Sequence, residues 1–217
     1  MKAIALFGGS FDPVHYGHLG LAHAAFMQLE VAGMTILPVG NPYQKGRLPF
    51  ASAAHRTNML KLAFRPDSQV LVDEREAERA GATYTFDTLV ELRAAVGEDV
   101  SLIWLIGSDA FSRLDTWYRW RELFGLAHFA VIDRSTEPFA RAICSTELRQ
   151  EIEARLTAVL DTHASPSGSV VFLDSPPPSV TSTDIRKRTA RAESIRGLTP
   201  DAVCDYIERH KLYLIKE

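Results

Sequence analysis

The stretch AIALFGGSFDPVHYGH, Ala3 to His18, decides how the rest of this chain is read. It opens with five consecutive apolar residues, runs into Gly8 and Gly9, and ends with His15 and His18 three positions apart. A short apolar run, then glycines, then helical spacing describes a strand turning into a helix. Packing alone asks for neither the glycine pair nor the two histidines. Gly8 and Gly9 let main-chain N–H groups approach an anion with no Cβ in the way. Ser10 adds a hydroxyl donor, and Asp12-Pro13 makes a turn. His15 and His18 then stand at a helix start, where free N–H groups and the macrodipole attract phosphate. Both imidazoles can donate hydrogen bonds to phosphate oxygens. A plain strand-to-helix turn accounts for the glycines alone, but not for the whole string. Zinc would need further ligands, and no His or Cys pair with matching spacing is evident.

Outward from this stretch, short apolar runs recur at 34–40, 69–73, 101–107, 128–133 and 169–174. Near-continuous apolarity over so few residues predicts strands buried on both faces, as in parallel sheets. Helical spacing of apolar residues falls between them, at 18–30, 52–64, 85–97 and 147–160. Strand alternating with helix predicts an α/β fold: a doubly wound, Rossmann-like parallel sheet with helices on both faces and a small C-terminal helical portion. Right-handed crossovers then place the binding crevice at the carboxyl ends of the strands. Residues 1–217 read as a single domain, with a helix-rich insertion at about 134–168 that is loose at THASPSGSV, and C-terminal helices at about 182–217. In the tail, Thr199 is the expected N-cap and Pro200 the first helical residue.

Composition narrows the function classes. The apolar fraction of 46% and charged fraction of 24% are those of a globular protein. A formal charge of −3 and a pI near 6.2 argue against bulk nucleic-acid binding, though not against a small basic pocket. Cys144 and Cys204 form no CxxC pair, which points to a reducing cytoplasm. The first residues lack the pattern of a signal peptide, and no apolar run is long enough to span a membrane.

Four further stretches carry candidate chemistry. VTSTDIRKR places Thr181, Ser182 and Thr183 before a helix with Arg186 in its first turn, a second anion-facing helix start. A capped helix with solvated basic residues explains the same letters. LIGSDAFSRLDTWYRW ends a strand at Gly107, starts a helix at Ser108 and Asp109, and gathers Trp117, Tyr118 and Trp120. Those rings are either core or a platform for a heteroaromatic ring. TYTFDTL, from Thr83, is a threonine-capped helix start whose N–H groups can bind a carboxylate. NPYQKGR carries Lys45 and Arg47 on a loop, where solvation is the simpler reading. The other histidines gain no role from spacing.

Together these motifs resemble the bacterial nicotinate-nucleotide adenylyltransferases of the HxGH nucleotidyltransferase superfamily. GGSFDPVHYGH is similar to that family's GGTFDPxHxGH, and VTSTDIR to its ISSTxIR. TYTFDTL, TWYRW, AVIDR and LTPDAVCDYIERHKLY also fall in the family's order, so the likeness spans nearly the whole chain. Ser10 departs from the usual threonine but keeps the hydroxyl, and NPYQKG lacks the usual Pro-His-Lys run.

The resemblance implies adenylyl transfer from ATP to nicotinate mononucleotide, giving deamido-NAD and pyrophosphate, with Mg²⁺ carried in on ATP. It implies that His15, His18 and Arg186 hold the ATP phosphates, with Gly8, Gly9 and Ser10 lining the phosphate loop. Gly107, Asp109, Ser182 and Thr183 would lie around the nucleotides. Lys45, Tyr84, Thr85, Trp117 and Tyr118 would take nicotinate mononucleotide, Trp117 by stacking on its ring. It implies no nucleic-acid or membrane partner, and it is compatible with a homo-oligomer.

Overall fold

The structure, a computed structural model of the 217-residue chain, describes residues 1–41, 48–64, 69–132, 144–174 and 180–214. Its strands are β1 (Lys2–Gly9), β2 (Gly33–Pro38), β3 (Val70–Val72), β4 (Val100–Gly107), β5 (His128–Ile132) and β6 (Val170–Leu173). They form one sheet in the order β3-β2-β1-β4-β5-β6, every pair parallel. The helices are α1 (Tyr16–Leu29), α2 (Ala53–Ala63), α3 (Arg75–Glu78), α4 (Thr85–Val96), α5 (Ser108–Phe111), α6 (Trp120–Leu123), α7 (Thr146–Arg155), α8 (Ser182–Ala190) and α9 (Asp201–Arg209).

The period-2 geometry of the strands divides the core in two. Ala3, Ala5 and Phe7 of β1 face one side, joined by Ile103, Leu105, Ala130, Ile132 and Val171 from the other strands. That layer is covered by α1, α2, α8 and α9, through residues such as Leu21, Leu60, Ile185 and Ile207. Leu6, Leu102, Trp104, Phe129 and Val131 face the opposite side, under α4 to α7. Both faces are therefore buried, which is why the central strands are apolar without alternation. Burying each such large side chain contributes about 1.5–3 kcal/mol. The edge strand β3 departs from the expectation of burial on both faces. It is three residues long and leaves Leu71 at 63% exposure.

Three local expectations are corrected. The helical pattern at 147–160 ends early: α7 stops at Arg155, and Leu156 and Thr157 bridge to Val170 instead. The THASPSGSV segment is tied down rather than loose. The Pro166 carbonyl accepts from Leu102 N (3.2 Å) and Arg93 Nη2 (2.8 Å), and the Thr162 carbonyl accepts from Ser101 Oγ (2.8 Å). Its backbone groups are used by main-chain and side-chain donors far away in sequence, a pairing that turn composition does not reveal. Thr199 is not the cap of α9. Pro200 is the N-cap, and the buried Thr199 hydroxyl donates to Val14 O (2.8 Å), tying the C-terminal portion to the β1–α1 turn.

His128 is buried at the start of β5. Its Nδ1 accepts from Ser169 N (3.0 Å), and Nε2 lies 2.9 Å from Ser165 O, so the neutral tautomer with hydrogen on Nε2 fits. Burial pushes its pKa below the ordinary 6.5. The unfolded chain then binds the extra proton first, so stability is lost as pH falls below 6.5 toward the folded-state value. The thermal midpoint of the parent protein should fall more steeply between pH 6.5 and 5 than that of His128→Asn. Parallel slopes in the two proteins would refute this assignment.

Among the described residues, no helix is long and apolar enough to cross a membrane.

Candidate active site

The chain runs outward from β1 to β2 and β3, then returns to β4 on the other side of β1. The carboxyl ends of β1 and β4 therefore flank the topological switch point, where such sheets open a crevice. A cavity of about 750 Å³ lies there. Gly8, Gly9 and Ser10 enter it from β1, and Gly107 and Asp109 from β4 and α5. His18 of α1, Thr85 of α4, Trp117, and Ser182, Thr183 and Arg186 of α8 also line it, whereas the predicted His15, Tyr84 and Tyr118 do not.

Two glycines are required here by packing before any ligand enters. A Cβ on Gly8 would lie 2.7 Å from the Trp104 ring, and one on Gly9 would lie 2.9 Å from the Phe11 ring. Trp104, buried in β4, lines the cavity beneath the turn. The expected clear approach of an anion therefore comes from a bare backbone that also lets two large rings pack beneath and beside it.

His15 is the N-cap of α1 but makes no side-chain cap hydrogen bond. It is buried, and its ring stacks on that of His18 with centroids 3.8 Å apart. His18 also packs edge-on against Phe11, at 5.0 Å. One imidazole thus reaches the cavity wall with the other stacked against it.

The α8 start is fastened to the same turn. Thr181 caps the helix by accepting from Asp184 N (3.1 Å), and Ser182 Oγ donates to Pro13 O (2.9 Å). Arg186 Nη1 donates to Asp12 O (2.6 Å) and Nη2 to Thr183 Oγ1 (3.1 Å), with the guanidinium 4.5 Å above the Phe50 ring. Arg186, which the resemblance assigns to the site, is held at the cavity rather than on a solvated face.

The aromatic cluster divides. Trp120 is core, against Phe124. Trp117 is partly buried and lines the cavity. Tyr118 is about half exposed and packs against Tyr84 (4.9 Å) and Phe86 (6.0 Å), joining the segment after Trp117 to the start of α4. No threonine caps α4: Tyr84 is its N-cap, Thr85 its first residue, and Thr83 Oγ1 instead accepts from Asn41 N (3.4 Å). Gly107 is the N-cap of α5, so Asp109 lies in the first turn of a short helix and caps nothing. Lys45 and Arg47 lie outside the described residues.

Residues that spacing did not single out hold this site together. The buried Asp12 carboxylate accepts from Phe50 N (2.7 Å), Ala51 N (3.1 Å) and Tyr213 Oη (2.8 Å). Burial and the Asp12 charge push the Tyr213 hydroxyl well above its ordinary pKa, so it remains a donor. Arg56 is 1% exposed and donates to Ser10 O (2.8 Å), Val39 O (2.6 Å) and Ala51 O (3.2 Å). Burial lowers its pKa from the ordinary arginine value, and the Asp12 charge opposes that shift. Glu76 of α3 is buried beside the cavity, and burial pushes its carboxyl up to about 7. The one available signal was the Asp-Pro turn; nothing in the local pattern marks Arg56 or Glu76.

Among the described residues, no group of three or more His, Cys, Asp or Glu is arranged to hold a metal ion.

Residues 6–188 match the cytidylyltransferase-like family. A probable nicotinate-nucleotide adenylyltransferase from Dechloromonas aromatica is 40% identical over 213 residues, covering 98% of each chain. Another, from Chromobacterium violaceum, is 41% identical over 210 residues, covering 97% of this chain and 98% of its own. Among solved structures, the Plasmodium falciparum nicotinic acid mononucleotide adenylyltransferase complexed with NaAD has a TM-score of 0.72 at 19% identity, covering 98% of each chain, a likeness of fold. With full-length sequence identity of this order and a parallel sheet whose switch-point cavity gathers the HxGH histidine and the α8 arginine, this chain belongs to the nicotinate-nucleotide adenylyltransferases, within the cytidylyltransferase-like family.

Proposed function

We propose that the cavity joins ATP to nicotinate mononucleotide, releasing pyrophosphate and forming deamido-NAD. The observation that carries this reading is convergence. His18 and Arg186, from two helices, meet the bare Gly8–Ser10 backbone at one end, and Thr85 and Trp117 line the same cavity.

The chemistry follows from charge. A phosphate monoester has a second pKa of about 6, so it is largely a dianion near pH 7. One of its oxygens attacks the α-phosphorus of ATP, the bond to the bridging oxygen of the β-phosphate breaks, and pyrophosphate leaves with that electron pair. No proton has to be removed from the nucleophile, so neither histidine is a general base. The obstacle is repulsion between anions. His18, Arg186, and the α1 and α8 starts supply fixed donors to the phosphates, while His15 braces His18 by stacking. Mg²⁺ arriving with the ATP substrate would neutralise part of the phosphate charge. At the other end, Trp117 stacks on the pyridine ring, and the Thr85 N–H at the α4 start, with the backbone at Tyr118, receives its carboxylate. Tyr84 packs on Tyr118 beside that segment, and the resemblance assigns Lys45, outside the described residues, to nicotinate mononucleotide.

Pyrophosphate release with ATP, Mg²⁺ and either nicotinate or nicotinamide mononucleotide tests the reading. Release should strongly favour the nicotinate form. Equal release with both would remove the Thr85 and Tyr118 assignment. No release with either would remove the reaction.

A further inference from the structure

Among the described residues, two buried carboxylates line the cavity: Asp12, whose oxygens are taken by Phe50 N, Ala51 N and Tyr213 Oη, and Glu76, which the mechanism above does not use. It is 4% exposed and lines the same cavity as Thr85 and Trp117. Thr88 Oγ1 donates to Glu76 Oε1 (2.7 Å) and itself accepts from Arg79 Nη1 (3.1 Å). Thr85 and Thr88 are three residues apart on α4 and so share a face. Hydrogen bonding therefore holds the carboxyl against the face that starts the proposed carboxylate site. The segment after β2 packs closely on the α3 main chain: a Cβ on Gly40 would lie 2.1 Å from Glu76 O.

We propose that Glu76 determines which pyridine ring the cavity accepts: as the neutral acid it admits a ring bearing a carboxylate, and as the anion it repels that ring. The inference rests on the reading that the Thr85–Trp117 end holds nicotinate. Two carboxylates sharing a desolvated site cannot both ionise cheaply. A nicotinate carboxylate is ionised throughout the neutral range, so the adjustable charge is that of Glu76. The carboxyl's elevation to about 7 puts its change of state in the working range.

The neighbouring charges do not fix its state. Arg79 faces it through Thr88, but the Arg79 Nη2 is engaged by Glu91 (2.6 Å). Arg75 is paired with Asp73 (2.8 Å) and approaches Glu91 (3.7 Å). Asp73 and Glu91 raise the Glu76 pKa, Arg79 and the Thr88 hydrogen bond lower it, and burial outweighs all of these.

The test is the ratio of kcat/KM for nicotinate mononucleotide to that for nicotinamide mononucleotide, followed from pH 6 to 8.5. The phosphate titrates in both nucleotides and cancels in the ratio. In the parent protein the ratio should fall on the order of tenfold as pH rises through 7, the effect of about one pKa unit of coupling. Glu76→Gln keeps an acceptor for Thr88 and cannot ionise, so its ratio should be flat. A purely structural Glu76 would change both nucleotides together and leave the parent ratio independent of pH. A parent ratio that favours nicotinate equally at every pH would overturn the role of Glu76 and leave the proposed reaction standing. A Glu76→Gln ratio that falls as the parent's does would overturn it as well. No turnover, or no preference at any pH, would overturn the underlying reading and this inference with it. The parent profile decides even if the variant folds poorly.

Discussion

His18→Ala keeps the parent's thermal transition and loses about a hundredfold or more in the rate of pyrophosphate release, the scale for removing one preorganised donor to a developing negative charge. Its ring is on the cavity wall, packed on His15 at 3.8 Å and Phe11 at 5.0 Å. Alanine is favoured within a helix, and the ring is only partly buried. Little folding energy should therefore be lost. The loss should appear in kcat more than in KM, because the donor matters most as charge redistributes on the phosphates. Steady-state pyrophosphate release and a circular dichroism melt on the same preparation separate the two effects. Near-parental turnover would sink the electrostatic mechanism.

Arg56→Ala should have the opposite signature, with stability failing first. The guanidinium is 1% exposed and spans the carbonyls of Ser10, Val39 and Ala51, which belong to three separate segments. Removing it leaves three carbonyls without their donor and opens a cavity. The cost should be about 3–5 kcal/mol, as for other buried polar groups deprived of a partner. In a chain of this size that lowers the midpoint by roughly 10 °C. Arg56→Lys should recover little, since an ammonium cannot reproduce the planar fork. Activity should also drop, because Ser10 and the segment at Phe50 and Ala51 lose a common anchor. A melting curve within two degrees of the parent's, taken as about the error of such a measurement, would show that solvent replaces the arginine at little cost.

How the chain is divided into strands and helices was legible from local pattern. The apolar runs at 3–7, 101–107 and 128–133 became β1, β4 and β5 because strands between two layers need apolar residues on both faces. Where the environment changed, the pattern misled. Leu71 belongs to such a run but sits exposed on the edge strand, and the helical spacing at 147–160 outlasts α7 because Leu156 and Thr157 turn to bridge Val170.

The candidate site shows the same division. Gly8, His18, Thr85, Trp117 and Arg186 stood out because each lies at a strand end or helix start, or among clustered aromatics, where residue type alone signals chemistry. Thr199 had the letter of a helix cap, yet its hydroxyl is used on Val14, 185 residues away. Asp12 had the letter of a turn, yet its carboxylate binds Phe50, Ala51 and Tyr213, the last 201 residues distant. Arg56 and Glu76 carried no signal, because their partners are main-chain carbonyls and a threonine brought in by other elements.

By itself, the sequence determined the parallel α/β architecture and the phosphate-handling motifs, since hydrophobic periodicity and helix-start chemistry act over a few residues. Only the tertiary structure decided which groups brace those motifs and which carboxyl is buried at the cavity wall. Buried hydrogen bonds and desolvation depend on neighbours that approach through space, and residue order does not encode them locally.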